Sequence, residues 1–447
     1  MVTLHADRAL LPEGWRQNVR LTIEGARLSR VEADVEADAR DERHALLLPA
    51  MPNLHSHAFQ RAMAGLTEVR GPGDDSFWSW RTLMYKFALS MTPDQIEAVA
   101  TQLYMEMLEA GFSRVGEFHY LHHDKDGSPY ANIAEMAERI ASASAEAGVG
   151  LTLLPVFYAH SGFGGAVPIE GQRRFIHSPE AFAKLMEICG KLTATLPGAR
   201  LGVAPHSLRA VIPEELLSIL PMTDGPVHIH VAEQVREVED CLAWSGARPV
   251  EWLLANMPVN ERWCLIHATH MSEEETRGVA ETGAIAGLCP ITEANLGDGI
   301  FNGAAFLGEG GRFGIGSDSN VLVSVSGELR QLEYSQRLAS RARNVMARPD
   351  GSTGALLFEG ALLGGGLALG TPTGLAQGNF ADIVSLDLDE VPYLPPAQIL
   401  DHWVFAGGVA VDCVWALGRK QVENGRHIRR DAINRRFQAT MKELLSL

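Results

Sequence analysis

Cysteine is scarce in this sequence and poorly placed for either of its usual structural uses. The five cysteines among 447 residues, Cys189, Cys241, Cys264, Cys289 and Cys413, are odd in number and widely scattered. None forms a Cys-x-x-Cys pair, so neither a thiolate zinc site nor a disulfide framework is expected. Long apolar runs are missing too. No uninterrupted apolar stretch reaches the roughly 18 residues that a membrane-spanning helix needs. The opening residues, Met1 to Asp7, lack the basic segment and apolar run of a secretion signal, so a reducing cytoplasm is the expected setting. An excess of positive charge is also absent. Lys+Arg number 38 against 55 for Asp+Glu, a net charge of −17. That balance argues against non-specific nucleic-acid binding, which needs basic patches to neutralise phosphates. A few local arginines can still serve an anionic small molecule.

What is present suits a large folded protein. The apolar fraction of 46% supports a substantial core, and the length fits one large domain with an accessory one. Residues 1–48 read as short alternating runs, among them Val19-Arg20-Leu21-Thr22-Ile23, punctuated by Gly14 and Gly25. A matching β-rich stretch, from residue 371 to the end, contains Ala381-Asp382-Ile383-Val384 and Val411-Asp412-Cys413-Val414-Trp415. Two such ends suggest one small β-sandwich domain assembled from both termini. Residues 49–370 differ, because apolar runs alternate there with amphipathic segments. Eight strands are expected at Leu46–His57, Arg114–Tyr120, Val149–Tyr158, Arg200–Ser207, Pro226–Glu233, Trp263–His270, Ala284–Pro290 and Arg312–Asn320. Helical patterns such as Pro93–Ala110, Ala131–Ala147 and Pro179–Leu196 separate them. The alternation predicts parallel strands, and the number of units predicts a (β/α)8 TIM-type barrel with α/β architecture. Thr67–Trp80, with Gly71-Pro72-Gly73-Asp74-Asp75, reads as a long loop beyond the first strand, and Phe163–Ala166 as another. Gly364-Gly365-Gly366 lacks a phosphate-loop context and reads as turn or packing chemistry.

Active sites of such barrels lie at the C-terminal ends of the strands. The first strand ends in His55-Ser56-His57, and side chains at i and i+2 of an extended chain point the same way. An isolated His-x-His is as readily a chance pair. Here the fifth strand adds His230 and Glu233, the sixth His267 and His270, and the eighth Asp318. Three imidazole nitrogens and one carboxylate oxygen suit Zn2+ or a similar divalent metal. His228, deeper in the fifth strand, reads as a core histidine, and His270 as a supporting one. His119, His122 and His123 read as loop residues, and Trp78 and Trp80 as lid packing.

These strand-end residues together resemble the amidohydrolase superfamily of metal-dependent deaminases and hydrolases, over nearly the whole chain. The resemblance implies metal ligands at His55, His57, His230 and Asp318. No lysine stands at the end of the fourth strand, Pro205-His206-Ser207, where binuclear members carry a bridging modified lysine, so one divalent ion is expected, Zn2+ first and Fe2+ as alternative. More narrowly, Asn53–Arg61, His230-Val231-Ala232-Glu233-Gln234 and His267-Ala268-Thr269-His270 resemble the formimidoylglutamate deiminases of histidine degradation. Such enzymes convert N-formimino-L-glutamate and water to N-formyl-L-glutamate and ammonia. The resemblance implies Gln60, Arg81, Tyr120, His206 and Arg209 around this small acidic amidine, and a homodimer.

The chemistry fits those residue types. A bound metal makes a water acidic enough to serve as nucleophile near neutral pH. Asp318 is expected to accept its proton, His267 to orient or stabilise the hydroxide, and Glu233 to carry a proton to the departing nitrogen. Which of the three acts first stays open. Arg81 and Arg209 suit carboxylates through guanidinium forks, although most arginines are solvated surface residues. The alternatives are a nucleobase or nucleoside deaminase, a chlorohydrolase acting on an aromatic ring, and a catalytically inert binding protein. A base-binding pocket needs no pair of arginines.

Overall fold

The computed structural model describes residues 1–70 and 77–446. The chain opens with β1 (Val2–Leu11), β2 (Gly14–Glu24), β3 (Arg27–Glu32) and β4 (Glu42–Pro49). It continues with β5 (Met51–Ser56), β6 (Phe112–His119), β7 (Gly150–Phe157), β8 (Arg200–Leu201), β9 (Ala204–Pro205), β10 (Val227–Val231), β11 (Trp263–His267), β12 (Ile285–Leu288) and β13 (Arg312–Ile315). It closes with β14 (Ile383–Asp387), β15 (Ala410–Ala416), β16 (Arg419–Glu423) and β17 (Arg426–His427).

The two ends of the chain build one eight-stranded sheet in the order β17-β16-β15-β14-β4-β1-β2-β3. The seam between them is the antiparallel pair β14 with β4, with Ile383 opposite Pro49. Its own apolar cluster includes Leu4, Leu21, Ile23, Leu47, Ile383 and Trp415, all buried. The middle strands are parallel and form two sheets, β5-β6-β7-β8 with β9 on β7, and β10-β11-β12-β13. Single bridges connect the sheets on both sides. Val203 pairs with Val227 and Ser207 with His230 on one side, and Ser56 pairs with Asp318 on the other. Helices alternate with these strands, as the sequence predicts. That alternation makes the middle an α/β fold.

The helix Pro93–Glu109 illustrates how the sequence writes such an element. Thr92 accepts from the backbone N–H of Gln95, the Gln95 side chain accepts from the N–H of Thr92, and Pro93 occupies the first turn. Its apolar positions, among them Ile96, Val99, Leu103 and Leu108, are buried. Gly111 (φ 93°) then turns the chain into β6.

Several boundaries differ from expectation. The run Leu46–His57 is two strands. β4 pairs in the terminal sheet through Pro49, and the Ala50 N–H donates to the Asp382 carbonyl before β5 enters the parallel sheet. The expected strand Arg200–Ser207 is interrupted, because Gly202 donates to Leu153 on one side and Val203 to Pro226 on the other. Phe77–Ser90 is a helix, so the last residues of the expected loop Thr67–Trp80 are helical, and residues 71–76 lie outside the described residues. Phe163–Ala166 is a loop, with Gly164 and Gly165 at positive φ. The glycines Gly364-Gly365-Gly366 lie within the helix Thr353–Ala368 rather than in a turn. Glycine weakens a helix interior by roughly 0.5–1 kcal/mol per residue. Close packing explains the choice: a Cβ on Gly365 would stand 2.6 Å from Pro52 Cγ, and one on Gly364 would collide with the Phe313 carbonyl.

Candidate active site

The ends of the parallel strands converge on one buried cluster. His55 and His57 leave the end of β5 on the same side, as their spacing requires, and their Nε2 atoms lie 3.2 Å apart. His230 Nε2 from β10 is 3.1 Å from His55 Nε2. Asp318 Oδ1 is 3.4 Å from His55 Nε2 and 3.2 Å from His57 Nε2. These four side chains are buried and offer one donor atom each to a common point.

A polar lock aims Asp318. Asn53 donates to Ser317 Oγ at 2.6 Å and accepts from the Ser317 N–H at 3.1 Å. Ser317 donates to Asn320 Oδ1, and the Asn320 amide donates to the carbonyls of His57 and Asp318. Asp318 and Asn320 both hold positive φ, at 45° and 58°. Such backbone persists only where the surroundings over-determine it.

The hydrogen-bond pattern tests whether the cluster fits a metal. His57 Nδ1–H donates to the Phe118 carbonyl at 3.0 Å, and His230 Nδ1–H donates to the His206 carbonyl at 3.0 Å. A carbonyl only accepts, so Nδ1 carries a proton in both rings and Nε2 is the nitrogen left to offer a lone pair. Burial, followed by neighbouring charges, keeps His230 well below its ordinary pKa, and burial takes His55 to about 3. Neutral imidazoles with lone pairs facing one another and a carboxylate repel unless a cation lies among them. The donor set and the two carbonyl-anchored rings could hold a metal ion, and they suit a divalent one.

A second group lies beside it. His267, the last residue of β11, has φ 68°. Its Nε2 stands 3.8 Å from Glu233 Oε1 and 3.9 Å from Asp318 Oδ2, and its Nδ1 is 3.3 Å from Glu293 Oε1. Burial disfavours the imidazolium, but Glu233, Glu293 and Asp318 outweigh it and raise the pKa of His267 to about 10. Glu233 is pushed up by burial, against the pull of His267 and Arg209. Arg209 Nη2 lies 3.8 Å from Glu233 Oε2 and 3.9 Å from Glu237 Oε2.

Above the cluster opens a cleft of about 700 Å3, counting its mouth. Its lining includes each expected substrate contact: Gln60, Arg81, Tyr120, His206 and Arg209. Gln60 donates to the Tyr120 hydroxyl at 2.9 Å. Arg81 stands on the helix Phe77–Ser90 rather than on a loop, with its guanidinium 4.6 Å from the Trp78 ring centre. Trp80 lines the cleft.

The remaining histidines separate as follows. His228 is a core residue whose Nε2 donates to the Ala368 carbonyl at 2.7 Å. His270 donates to the Asp298 carbonyl. His119 is the last residue of β6, and His122 is packed against His119 and His177. Of the three histidines expected in a loop, His119 instead ends the strand, whereas His122, though buried, and His123 do lie in the loop that follows it.

Sequence reasoning missed Tyr85 and Tyr158, which also line the cleft, and two buried glutamates behind it. Glu237 accepts the N–H groups of Ala232 and Glu233, and Glu293 accepts that of Cys289. Neither glutamate ends a strand, so a reading confined to strand ends passes over both.

Comparison with known proteins agrees with this geometry. The model described as Amidohydrolase family matches residues 46–420. The chain belongs to the amidohydrolase family. Within that family, residues 1–45 match the model described as Formimidoylglutamate deiminase HutF, N-terminal domain. The formimidoylglutamate deiminase of Pseudomonas aeruginosa is 52% identical, with 100% of each chain covered. Among solved structures, an amidohydrolase from Brucella melitensis is 62% identical with a TM-score of 0.98, covering 100% of both chains. An adenosine deaminase from Xanthomonas campestris with bound zinc shares the fold at 20% identity and TM-score 0.82, covering 100% of this chain and 99% of its own.

Proposed function

We propose that this amidohydrolase is a formimidoylglutamate deiminase of histidine degradation, hydrolysing N-formimino-L-glutamate to N-formyl-L-glutamate and ammonia. The carrying observation is the 52% identity to the Pseudomonas aeruginosa enzyme over the full length of both chains. The cleft supports it, since Arg81 and Arg209 share its wall with the four-donor cluster. A substrate with two carboxylates and an amidine carbon calls for both features.

In this reading His55, His57, His230 and Asp318 hold one divalent ion, with Zn2+ favoured by the nitrogen-rich donor set. When bound, that ion lowers the pKa of a water towards neutrality. Arg81 and Arg209 bind the two carboxylates, while Gln60, Tyr120 and His206 border the formimino group. Asp318 Oδ2 accepts the proton of the attacking water, and His267 Nε2 steadies the developing charge beside it. Water adds to the amidine carbon, and Glu233 delivers a proton to the terminal nitrogen. The proton held by Asp318 follows onto that nitrogen, the added hydroxyl returns its proton to Glu233, the C–N bond breaks, ammonia leaves, and the formyl oxygen remains on the product. The nitrogen borne by glutamate is retained.

The same reading includes the architecture. Eight strands wrap into a closed (β/α)8 barrel over residues 49–370, supported by single bridges on both sides of the two sheets. Residues 1–48 and 371–447 form the β-sandwich domain with the final helix, supported by their shared sheet and separate apolar cluster. A cytoplasmic setting accords with five buried free thiols, and a homodimer with the family resemblance.

The test is ammonia release by the metal-loaded protein on N-formimino-L-glutamate, with guanine, cytosine and adenosine in parallel. Turnover confined to the formimino acid is expected. Turnover on a ring compound instead overturns the substrate assignment and the roles of both arginines.

A further inference from the structure

The ring of His267 is held from two directions. Its backbone, at φ 68° followed by Ala268 at φ 48°, lies in a region that costs a non-glycine residue energy. The Ala268 N–H donates to the Val231 carbonyl, which ties this strained turn to β10. Backbone alone leaves the ring free to rotate about its side-chain bonds. The second constraint comes from Glu293, in the first turn of the short helix Pro290–Leu296 that follows β12.

One oxygen of Glu293 performs two tasks. Oε1 accepts the Cys289 backbone N–H at 2.9 Å and the His267 Nδ1–H at 3.3 Å. The first bond fixes the carboxylate on the backbone just before its own helix. The second turns the His267 ring so that Nε2 faces the gap between Glu233 Oε1 and Asp318 Oδ2, 3.8 and 3.9 Å away. His230 stacks on the ring at 5.6 Å between centroids, which restrains its tilt but not its rotation in the plane. The whole arrangement is buried, with Glu293 5% and His267 1% exposed. Water is therefore poorly placed to substitute for the missing acceptor.

We propose that Glu293 is a positioning residue for the hydrolysis: its Oε1 holds the Nδ1–H of His267 and so keeps the opposite ring nitrogen between Glu233 and Asp318. The assignment rests on the deiminase reading above for its kinetic consequence, and on geometry alone for its structural one. Glu293 is not among the four donors of that cluster but belongs to a separate buried group with His267 and Cys289.

The experiment uses the full-length, metal-loaded protein in wild-type form and as Glu293→Ala, Glu293→Asp and Glu293→Gln. Each is assayed for kcat and KM on N-formimino-L-glutamate, for bound metal by elemental analysis, and for the His267 ring by crystallography. Loss of an outer hydrogen-bond partner of this kind lowers activity by about 10–100-fold. Glu293→Ala and Glu293→Asp are expected to lose that much in kcat, with KM and metal content held. Both should show the His267 ring turned away from Glu233. Glu293→Gln keeps an oxygen acceptor at the same reach and is expected to restore most of kcat and the ring orientation. Should Glu293→Ala fail to fold, the Asp and Gln pair still decides. An unmoved ring with unchanged kcat in Glu293→Asp overturns the proposal. Equal impairment of Glu293→Gln and Glu293→Asp overturns it too, because charge rather than the hydrogen bond would then be at work. If the wild type itself is silent on N-formimino-L-glutamate, the deiminase reading falls. The ring orientation in the variants then decides the positioning role separately.

Discussion

Replacing Arg209 by Met tests how the cleft recognises an acidic substrate. The Arg209 side chain is 12% exposed, and its two carboxylate neighbours stand at 3.8 and 3.9 Å, beyond hydrogen-bond reach. Its Nε has no hydrogen-bond partner among the described residues either. A buried guanidinium with unused donors is suited to a carboxylate that arrives with the substrate. Truncating one partner of such a pair costs about 2–4 kcal/mol, or roughly 30- to 1000-fold in kcat/KM. The loss should fall mainly on KM, since the carboxylate is bound in both the ground and the transition state. Ammonia release from N-formimino-L-glutamate measures it, and formamidine, which has no carboxylates, is the control. Arg209→Met should leave the slow reaction of formamidine almost unchanged. Equal losses on the two substrates would refute the reasoning and assign Arg209 to holding Glu233 instead.

Other perturbations have equally definite outcomes. Glu233→Gln keeps the shape of the side chain but has no acidic proton to deliver, and kcat should fall by about 100- to 10,000-fold with metal content intact. Undiminished turnover would remove Glu233 from the proton path. Chelation should abolish turnover and Zn2+ should restore it at one ion per chain, whereas His230→Ala should bind less metal, as elemental analysis will read. Acid should destabilise the fold through its buried neutral histidines. Burial lowers His119 and His177 to about 3 from the ordinary 6.5. The unfolded chain takes up their protons first as pH falls below 6.5. Stability is thus complete above that pH and falls by about 1.4 kcal/mol per unit for each group down to about pH 3. Urea midpoints at pH 7.5 and 5 test this, and equal midpoints would contradict it.

The expected contacts that the sequence displays most plainly are those whose local geometry and strand position coincide. His55 and His57 are two residues apart on one strand, so backbone periodicity alone puts both rings on one side. His230 stands one residue before the end of a strand paired with the one that ends in His267, so a strand-end reading finds both. Arg81 was harder to place, because a polar-aromatic stretch with Gly-Pro-Gly before it reads as loop, whereas Phe77–Ser90 is a helix. The single run Leu46–His57 conceals a change of sheet at Ala50, since apolar residues suit either sheet. The glycine triplet reads as turn or packing chemistry, and only the fit of its helix against Pro52 and Phe313 decides for packing.

The sequence by itself determined which donors the strand ends present and the alternation of strands and helices. These follow from residue type and short-range periodicity, which act along the chain. Only the tertiary structure decided how those donors meet: that Nδ1 of His57 and His230 donates to carbonyls 61 and 24 residues away, and that Glu293 reaches His267 across 26 residues. It also decided that Asn53 locks Ser317 from 264 residues away. Each contact depends on the path of the backbone between distant elements, and that path comes from the packing of the whole core.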